Sequence, residues 1–436
     1  MIKLITTILL FIMCLPLFSP VAYASEVRLL TLDQALSIAM EKNRNIAKAR
    51  EYGKYIQGRY VEERSAALPQ VSLNGTSSYS HDESQKALMG IAPKQFYQSV
   101  EVSVSQPLFT WGKIGAAVRA AEVGLKTADE QLRLYRQAAW RDVSNQFYDV
   151  LLSRELHLLA KENLAQKKRL LNEAQRKYDS GVATDYDVLA AEVAVKNALP
   201  ESIRTENAIR TVREKLRFLL ALDGQDIDVY GSLATAAESI KTYEEAFEIA
   251  SRKRPELSDL QLRVGIYKEL VTIAKSNNKP RLDLKGGGGW RWLDVSSPVL
   301  NQADNGAAWS VGVYLSFPFF DGLKTSGLVT QAESDLKTKQ IEVSSQLDAI
   351  ALEVRTTGYA VKESGEIVQS LDGTVKQAER LLQMAEKGYE YGVKIRLEVD
   401  DAQLNLIQAR SNLARSQRDY RVALVNFQWA MGMAGE

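Results

Sequence analysis

The chain has 436 residues, with 55 Lys and Arg against 54 Asp and Glu and a formal net charge of +1. That balance leaves no bulk field to gather nucleic acid or acidic ligands. Cys14 is the single cysteine, so the chain beyond it can use neither disulfides nor thiol chemistry and must be held by packing.

The N-terminus predicts a secretory signal peptide over residues 1–24. Lys3 supplies the positive region, Leu4 to Leu15 the short apolar stretch, and Ala22-Tyr23-Ala24 the small-residue cleavage site. The mature chain then begins near Ser25. Phe11-Ile12-Met13 precedes Cys14 where lipid attachment wants small residues, which favours ordinary secretion. Loss of Lys3 leaves 54 basic residues (55 − 1) against 54 acidic. Beyond this segment no run of about 18 apolar residues occurs, which excludes a membrane-spanning helix and leaves spanning β-strands open.

Chain order then repeats itself at a spacing of 211 residues. Gln34-Ala35-Leu36 returns as Glu245-Ala246-Phe247, Leu68-Pro69 as Lys279-Pro280, and Gln106-Pro107-Leu108-Phe109 as Phe317-Pro318-Phe319-Phe320. Lys177-Tyr178-Asp179-Ser180-Gly181 returns as Gly388-Tyr389-Glu390-Tyr391-Gly392. After the second proline the turn is expected to drift by one, Thr110-Trp111-Gly112 being matched by the shorter Asp321-Gly322. The predicted units are repeat 1 over about 31–222 and repeat 2 over about 242–433, within one protomer of residues 25–436.

Each repeat opens with a helical region and continues into two strands. Val71, Leu73 and Tyr79 alternate with Ser72, Asn74 and Ser80, and Val100, Val102 and Val104 with Glu101, Ser103 and Ser105. In the second repeat Leu282, Leu284, Trp290 and Trp292 alternate with Asp283, Lys285 and Arg291, then Trp309, Val311, Val313 and Leu315 with Ser310, Gly312 and Ser316. The expected strands are about 69–80, 96–107, 281–293 and 308–318. An antiparallel sheet on a soluble core gives the same alternation; three tryptophans on the apolar face and charges on the other favour a membrane wall around water. Four strands cannot close such a wall, so several chains must pool theirs. Gly286 to Gly289 lacks the Lys-Ser/Thr of a phosphate loop and reads as strand with close packing or sharp curvature.

Two very long helices follow, Gly112 to Tyr178 and Gly322 to Tyr389, each on the order of 100 Å. Leu371, Val375, Ala378, Leu382, Ala385 and Tyr389 form a seam of alternating fours and threes. After the glycine turns, Val188, Ala191, Val195, Ala198, Ser202, Thr205, Ile209, Val212, Leu216 and Leu219 match Val399, Ala402, Leu406, Ala409, Leu413, Ser416, Tyr420, Ala423, Phe427 and Ala430 position for position. Pro200 predicts a kink. A plain coiled-coil rod would show the seams without the paired strands. His81 and His157 stand apart from any metal-ligand spacing and no Gly-x-Ser-x-Gly occurs, so no metal, cofactor or enzymatic activity is expected.

With these residues in view, the mature chain resembles the TolC family of outer-membrane efflux and secretion channels. The likeness is carried by Leu32-Asp33-Gln34-Ala35-Leu36 with Asn43, the Leu68-Pro69 and Gln106-Pro107-Leu108-Phe109 strand borders, the Tyr-x-x-Gly turns and the duplicated order. The resemblance implies a mainly α protein with a small β part: duplicated helical hairpins forming an α-barrel tunnel, and four transmembrane strands per protomer completing a 12-stranded barrel as a homotrimer. It implies an outer-membrane location with most of the chain in the periplasm, and partners in a periplasmic adaptor and a proton-driven or ABC-type inner-membrane transporter. Gly181, Val182, Gly392 and Val393 would be docking turns at the periplasmic tip. Lys394, Glu398 and Asp401, with Asp187 as the repeat partner of Glu398, would gate the mouth. The family often has Arg where this chain has Lys394, which matters to a bidentate latch. An ordinary solvated helix start explains the same charges. The competing functions are a periplasmic coiled-coil adaptor without a barrel and a passive porin, which would lack long helices.

Overall fold

The computed structural model of the protein describes residues 27–81, 83–86, 92, 94–234, 240–296 and 301–435; the expected signal peptide and Cys14 lie outside the described residues. Helices α1 (Leu32–Lys42), α2 (Arg44–Ser65), α3 (Lys113–Asp179) and α4 (Asp185–Leu220) are followed by α5 (Tyr243–Lys253), α6 (Pro255–Lys275), α7 (Lys324–Glu390) and α8 (Arg396–Ala430). The strands are β1 (Arg28–Leu30), β2 (Gln70–His81), β3 (Lys94–Phe109), β4 (Ile227–Val229), β5 (Arg281–Ser296) and β6 (Asn301–Ser316). α3 and α7 have 67 residues each and begin 324 − 113 = 211 positions apart.

Local signals account for the helix starts. Thr31 and Gln34 cap α1 reciprocally, Gln34 N–H donating to Thr31 Oγ1 at 3.4 Å and Thr31 N–H to Gln34 Oε1 at 3.1 Å. Thr242 and Glu245 repeat the arrangement on α5, and each box satisfies two amides that a helix start leaves free. α3 and α7 begin differently. Two successive left-handed residues, Trp111 (φ 51°) and Gly112 (φ 82°), precede α3, and Gly322 (φ 66°) with Leu323 (φ 67°) precedes α7. The expected drift of this turn is therefore corrected. The backbone keeps its register of 211 and only the glycine changes place, leaving Trp111 or Leu323 as the side chain that takes the strained conformation.

The seam positions are buried or half-buried, except Tyr389 at the end of the α7 seam, which is exposed. Ala198, Thr205, Ile209, Leu216 in α4 and Val399, Ala402, Leu406, Ala409, Tyr420, Ala423, Phe427 and Ala430 in α8 lie inside, so α4 folds back on α3 and α8 on α7 as helical hairpins. α4 runs unbroken through Pro200. The proline sits exposed between the seam positions Ala198 and Ser202, where a carbonyl without its usual partner faces water.

Two apolar cores fix the shoulders. One gathers Leu30, Val143, Phe147, Leu216, Ile227 and Val229, with β1 and β4 paired in parallel at its edge. The other gathers Ala246, Leu257, Ile350, Val354, Phe427 and Met431. Beside the first, Asn43 separates α1 from α2: its Oδ1 accepts from Asn45 N–H at 2.9 Å and its Nδ2 donates to Leu219 O at 2.9 Å. Arg254 stands at the equivalent point of the second repeat and donates to Ala430 O, the equivalent carbonyl, at 3.3 Å. It is 4% exposed. Its charge is met by Glu256 at 3.1 Å and Glu353 at 2.8 Å, and its guanidinium lies 4.5 Å from the centre of the Trp429 ring.

Candidate functional site: the sheet wall and the helical tip

β2, β3, β5 and β6 form one antiparallel sheet in that order, so β3 pairs with β5 and joins the two repeats. The register carries Val71 opposite Val104, Val104 opposite Gly286 and Gly286 opposite Val311; one row lower Leu73, Val102, Gly288 and Trp309 align. Val71, Leu73, Val100, Val102, Trp290, Trp292, Trp309, Val311 and Val313 therefore share one face. Among these, Leu73 is 71% exposed and Trp309 80%, and water is a poor solvent for a surface of this kind. The opposite face holds Ser72, Asn74, Ser103, Lys285 and Arg291, with Arg291 3.5 Å from Glu101.

β6 begins at Asn301, earlier than the apolar alternation predicts, and β5 extends to Ser296. The added stretch, with Gln302 and Asp304 on one face and Asp294 and Asn305 on the other, keeps its backbone ladder. Where both faces are wet, the ladder persists and the alternation vanishes, so the sequence pattern ends before the strand does.

The four glycines divide between the neighbouring strands, Gly286 and Gly288 facing Val311 and Trp309 of β6 while Gly287 and Gly289 lie close against β3. A Cβ at Gly289 would lie 2.6 Å from Glu101 Cα and closer still to the Val100 carbonyl oxygen; one at Gly287 would lie 2.9 Å from Glu101 Oε1 and 3.0 Å from Val102 O. Close approach is thus the reason for the run. At the other end of the sheet, Phe109, Trp111, Phe317, Phe319 and Phe320 are all exposed. Phe109 and Trp111 meet edge-on at 5.1 Å, as do Phe317 and Phe319 at 6.2 Å. This second aromatic cluster went unnoticed in the sequence, where Phe109, Phe319 and Phe320 served as repeat borders and Phe317 as the end of the last strand's apolar alternation; the signal was their density around Pro107 and Pro318.

About 100 Å away along α3 and α7, two turns close the hairpins. Gly181 (φ 74°) and Gly392 (φ 73°) supply the left-handed residue, and Val182 and Val393 beside them are 77% and 79% exposed. Val182 N–H donates to Lys177 O and Val393 N–H to Gly388 O, each at 2.8 Å. Lys394 replaces the Ala183 of the first repeat, and Gly388 replaces Lys177. The exchange is steric, because a Cβ at Gly388 would press on the Lys394 stem, 3.2 Å from its Cβ.

The charged residues divide into two kinds. Asp187 and Glu398 are both helix-start acids. Asp187 Oδ2 accepts from Thr184 N–H at 2.8 Å and from Thr184 Oγ1 at 2.7 Å, while Glu398 accepts from Ile395 N–H at 3.1 Å and pairs with Lys394. The Thr184 amide and hydroxyl hold the Asp187 carboxyl below its ordinary value. Lys394, followed by the Ile395 amide, does the same for Glu398. Both acids therefore keep their caps below the usual carboxylate range, and the caps weaken as pH falls through the lowered values. Asp401 is exposed and has no hydrogen bond or ion pair among the described residues. Above the tip, Lys167 of α3 reaches Asp400 of α8 at 3.0 Å and Gln166 donates to Gln403, tying one hairpin to the other. No group of His, Cys, Asp and Glu able to hold a metal ion occurs among the described residues.

The model of the outer membrane efflux protein family matches residues 35–222 and 246–433. The chain belongs to that family. It is similar to the outer membrane protein TolC of Vibrio cholerae, 23% identical over 381 residues covering 86% of this chain and 84% of that protein. It is likewise similar to the alkaline protease secretion protein AprF of Pseudomonas aeruginosa, 24% identical with coverage of 86% and 78%. The solved outer membrane channel CmeC of Campylobacter jejuni superposes with a TM-score of 0.79 at 16% identity, over 92% of this chain and 86% of that one. Membership in the outer membrane efflux protein family makes the protein an exit duct in the outer membrane. That family is a class of channels and not of enzymes, and the adaptor and porin readings give way to it.

Proposed function

We propose that three mature protomers, each one duplicated unit beginning near Ser25, pool four strands apiece into a twelve-stranded barrel and continue it as a helical tunnel through the periplasm. The observation that carries this is the exposed apolar face of a sheet whose β2 and β6 edges have no strand partner among the described residues. Lipid tolerates neither an open edge nor an unpaired amide, so β6 of one copy meets β2 of the next. The two aromatic belts would sit at the two surfaces of the bilayer. At the far end, Gly181, Val182, Gly392 and Val393 present the turns to a periplasmic adaptor and, through it, to an inner-membrane transporter of an efflux pump or a type I secretion system.

Membrane fractionation tests the assembly. The processed protein should stay in the outer membrane through carbonate and high salt, need detergent for release, and run on unheated SDS gels near three times its heated mass. Carbonate extraction of a monomer would sink this reading.

Lys394, Glu398 and Asp401 form the proposed gate, with Asp187 a lesser member because its oxygens serve its own helix start. Asp401, free of such work, is the acid best able to act on passing ions. Three copies of Asp401 around a pore favour cations. In planar bilayers Asp401→Asn should roughly halve the preference for K⁺ over Cl⁻ while leaving thermal stability unchanged. If replacing both Glu398 and Asp401 with alanine altered neither conductance nor ion preference, these residues would have no part in the gate.

A further inference from the structure

Where strands give way to helices, the protomer holds a cavity of about 1000 Å³. α2, α3 and α6 wall it together with the lower ends of the four strands. Gln70, Ser105, Arg281 and Ser316 contribute to it, and all four lie on the polar face of the sheet, so the cavity continues the water-facing side. Its charge is one-sided. Arg59, Lys113, Arg263, Lys279 and Arg281 line it against a single acid, Glu63.

Pairing does not even the count. Arg263 is matched by Asp259 at 2.7 Å and Arg281 by Asp283 at 2.8 Å. Lys113 Nζ finds only the neutral Asn277 Oδ1 at 2.9 Å. Arg59 and Lys279, both exposed, have no carboxylate within ion-pair distance among the described residues. Higher on the same polar face, Lys285 stands over the Tyr314 ring, 5.4 Å from its centre, and has no carboxylate within ion-pair distance among the described residues. Four cations thus face the water without a paired acid, and Glu63 is the one acid of the cavity wall to oppose them. Ions held near a low-dielectric wall feel such an excess strongly, because field lines concentrate in the confined water.

We propose that this junction is an anion-binding collar: a belt of Arg59, Lys113, Lys279 and Lys285 that holds solutes carrying several carboxylate or phosphate groups on their way from tunnel to barrel. The inference rests on the trimeric-channel reading, and names the solute class that the upper lumen retains. Charge sets the class, since guanidinium and ammonium groups at several points meet a polyanion better than a monovalent ion. Tyr52 and Tyr267 in the same wall offer flat apolar surface for the body of such a solute. The collar and the proposed mouth carry opposite signs, so an anionic cargo is repelled at one end and retained at the other.

The test is single-channel recording of the purified full-length protein, with inorganic tripolyphosphate added on the barrel side. Wild type should be blocked reversibly, and the block should fade as KCl rises from low to molar concentration. Arg59→Gln with Lys279→Gln should need roughly tenfold more tripolyphosphate for half-block, and Glu63→Gln about threefold less. The second variant adds no charge and removes an acid, so it reads the same belt if the double variant fails to assemble. Unchanged block in either assembled variant, or a wild-type channel indifferent to tripolyphosphate, overturns the collar while leaving the duct intact. A wild-type protein that forms no conducting pore overturns both.

Discussion

Gly289→Val should abolish the SDS-resistant form expected of the proposed trimer. A Cβ at that position would fall 2.6 Å from Glu101 Cα and 2.9 Å from the Val100 carbonyl carbon, so the obstacle is main chain and not a side chain able to swing aside. β5 pairs with β3 from Lys285 through Ser296 without a bulge, and a valine must either push the strands apart or shift their register. A shift of β5 by one residue would turn Trp290 and Trp292 to the polar face and Arg291 to the face that carries Val100 and Val102. Overpacking of this kind costs about 1–3 kcal/mol even where side chains can adjust, and more against backbone. Gly75→Val is the control: it lies in the same sheet with nothing within 4 Å of its added Cβ, and should assemble as wild type does. Heat-modifiable mobility on SDS gels reads both. Equal trimer yield from the two variants would show that close approach at Gly289 does not govern closure.

Arg254→Met should lower stability toward urea by about 3 kcal/mol, because breaking a buried ion pair leaves charge without its partner. The arginine serves two carboxylates, Glu256 and Glu353, and the Ala430 carbonyl while stacking on Trp429. Glu256 and Glu353 keep 21% and 32% of their side chains exposed, which holds the loss to the lower part of the usual range for such breaks. Methionine retains most of the packing on the indole. A triple variant, Arg254→Met with Glu256→Gln and Glu353→Gln, should regain at least half of the loss, since the stranded charges are then gone. Urea midpoints of the detergent-solubilised protein decide the matter, and a single variant as stable as wild type would mean that the arginine is replaceable by apolar contact alone.

Periodicity made the large elements readable. Heptad spacing identified the buried positions of α4 and α8 down to Ala198, Leu406 and Phe427, because a seam that must face a partner for tens of residues leaves a strict pattern. Alternation located the strands for the same reason, and failed at Asn301 to Ala307 where neither face is apolar. β1 and β4, three residues each, are too short for any period to register. The turn before α7 was misjudged because Gly322 was matched with Gly112, whereas Gly322 stands at the place of Trp111 and Leu323 at that of Gly112, each with left-handed backbone. At the tip, sequence brought Lys394 and Glu398 together by their four-residue spacing, and the helix-start reading weighed beside the gate agrees with the caps that Glu398 and Asp187 make. Arg254 was invisible for a different reason: its partners come from α6, α7 and α8, and no local pattern announces a meeting of that kind.

Arg254 grips α7 at Glu353, about 37 residues above the end of that helix at Glu390. Such a span is on the order of 55 Å, long enough to act as a lever with its fulcrum at the shoulder. A tilt of only about 5° there carries the far end through roughly 5 Å, the pitch of one helical turn. At the proposed mouth, a small rearrangement around one arginine would thereby be magnified into the width of an ion, with no need for α7 to bend.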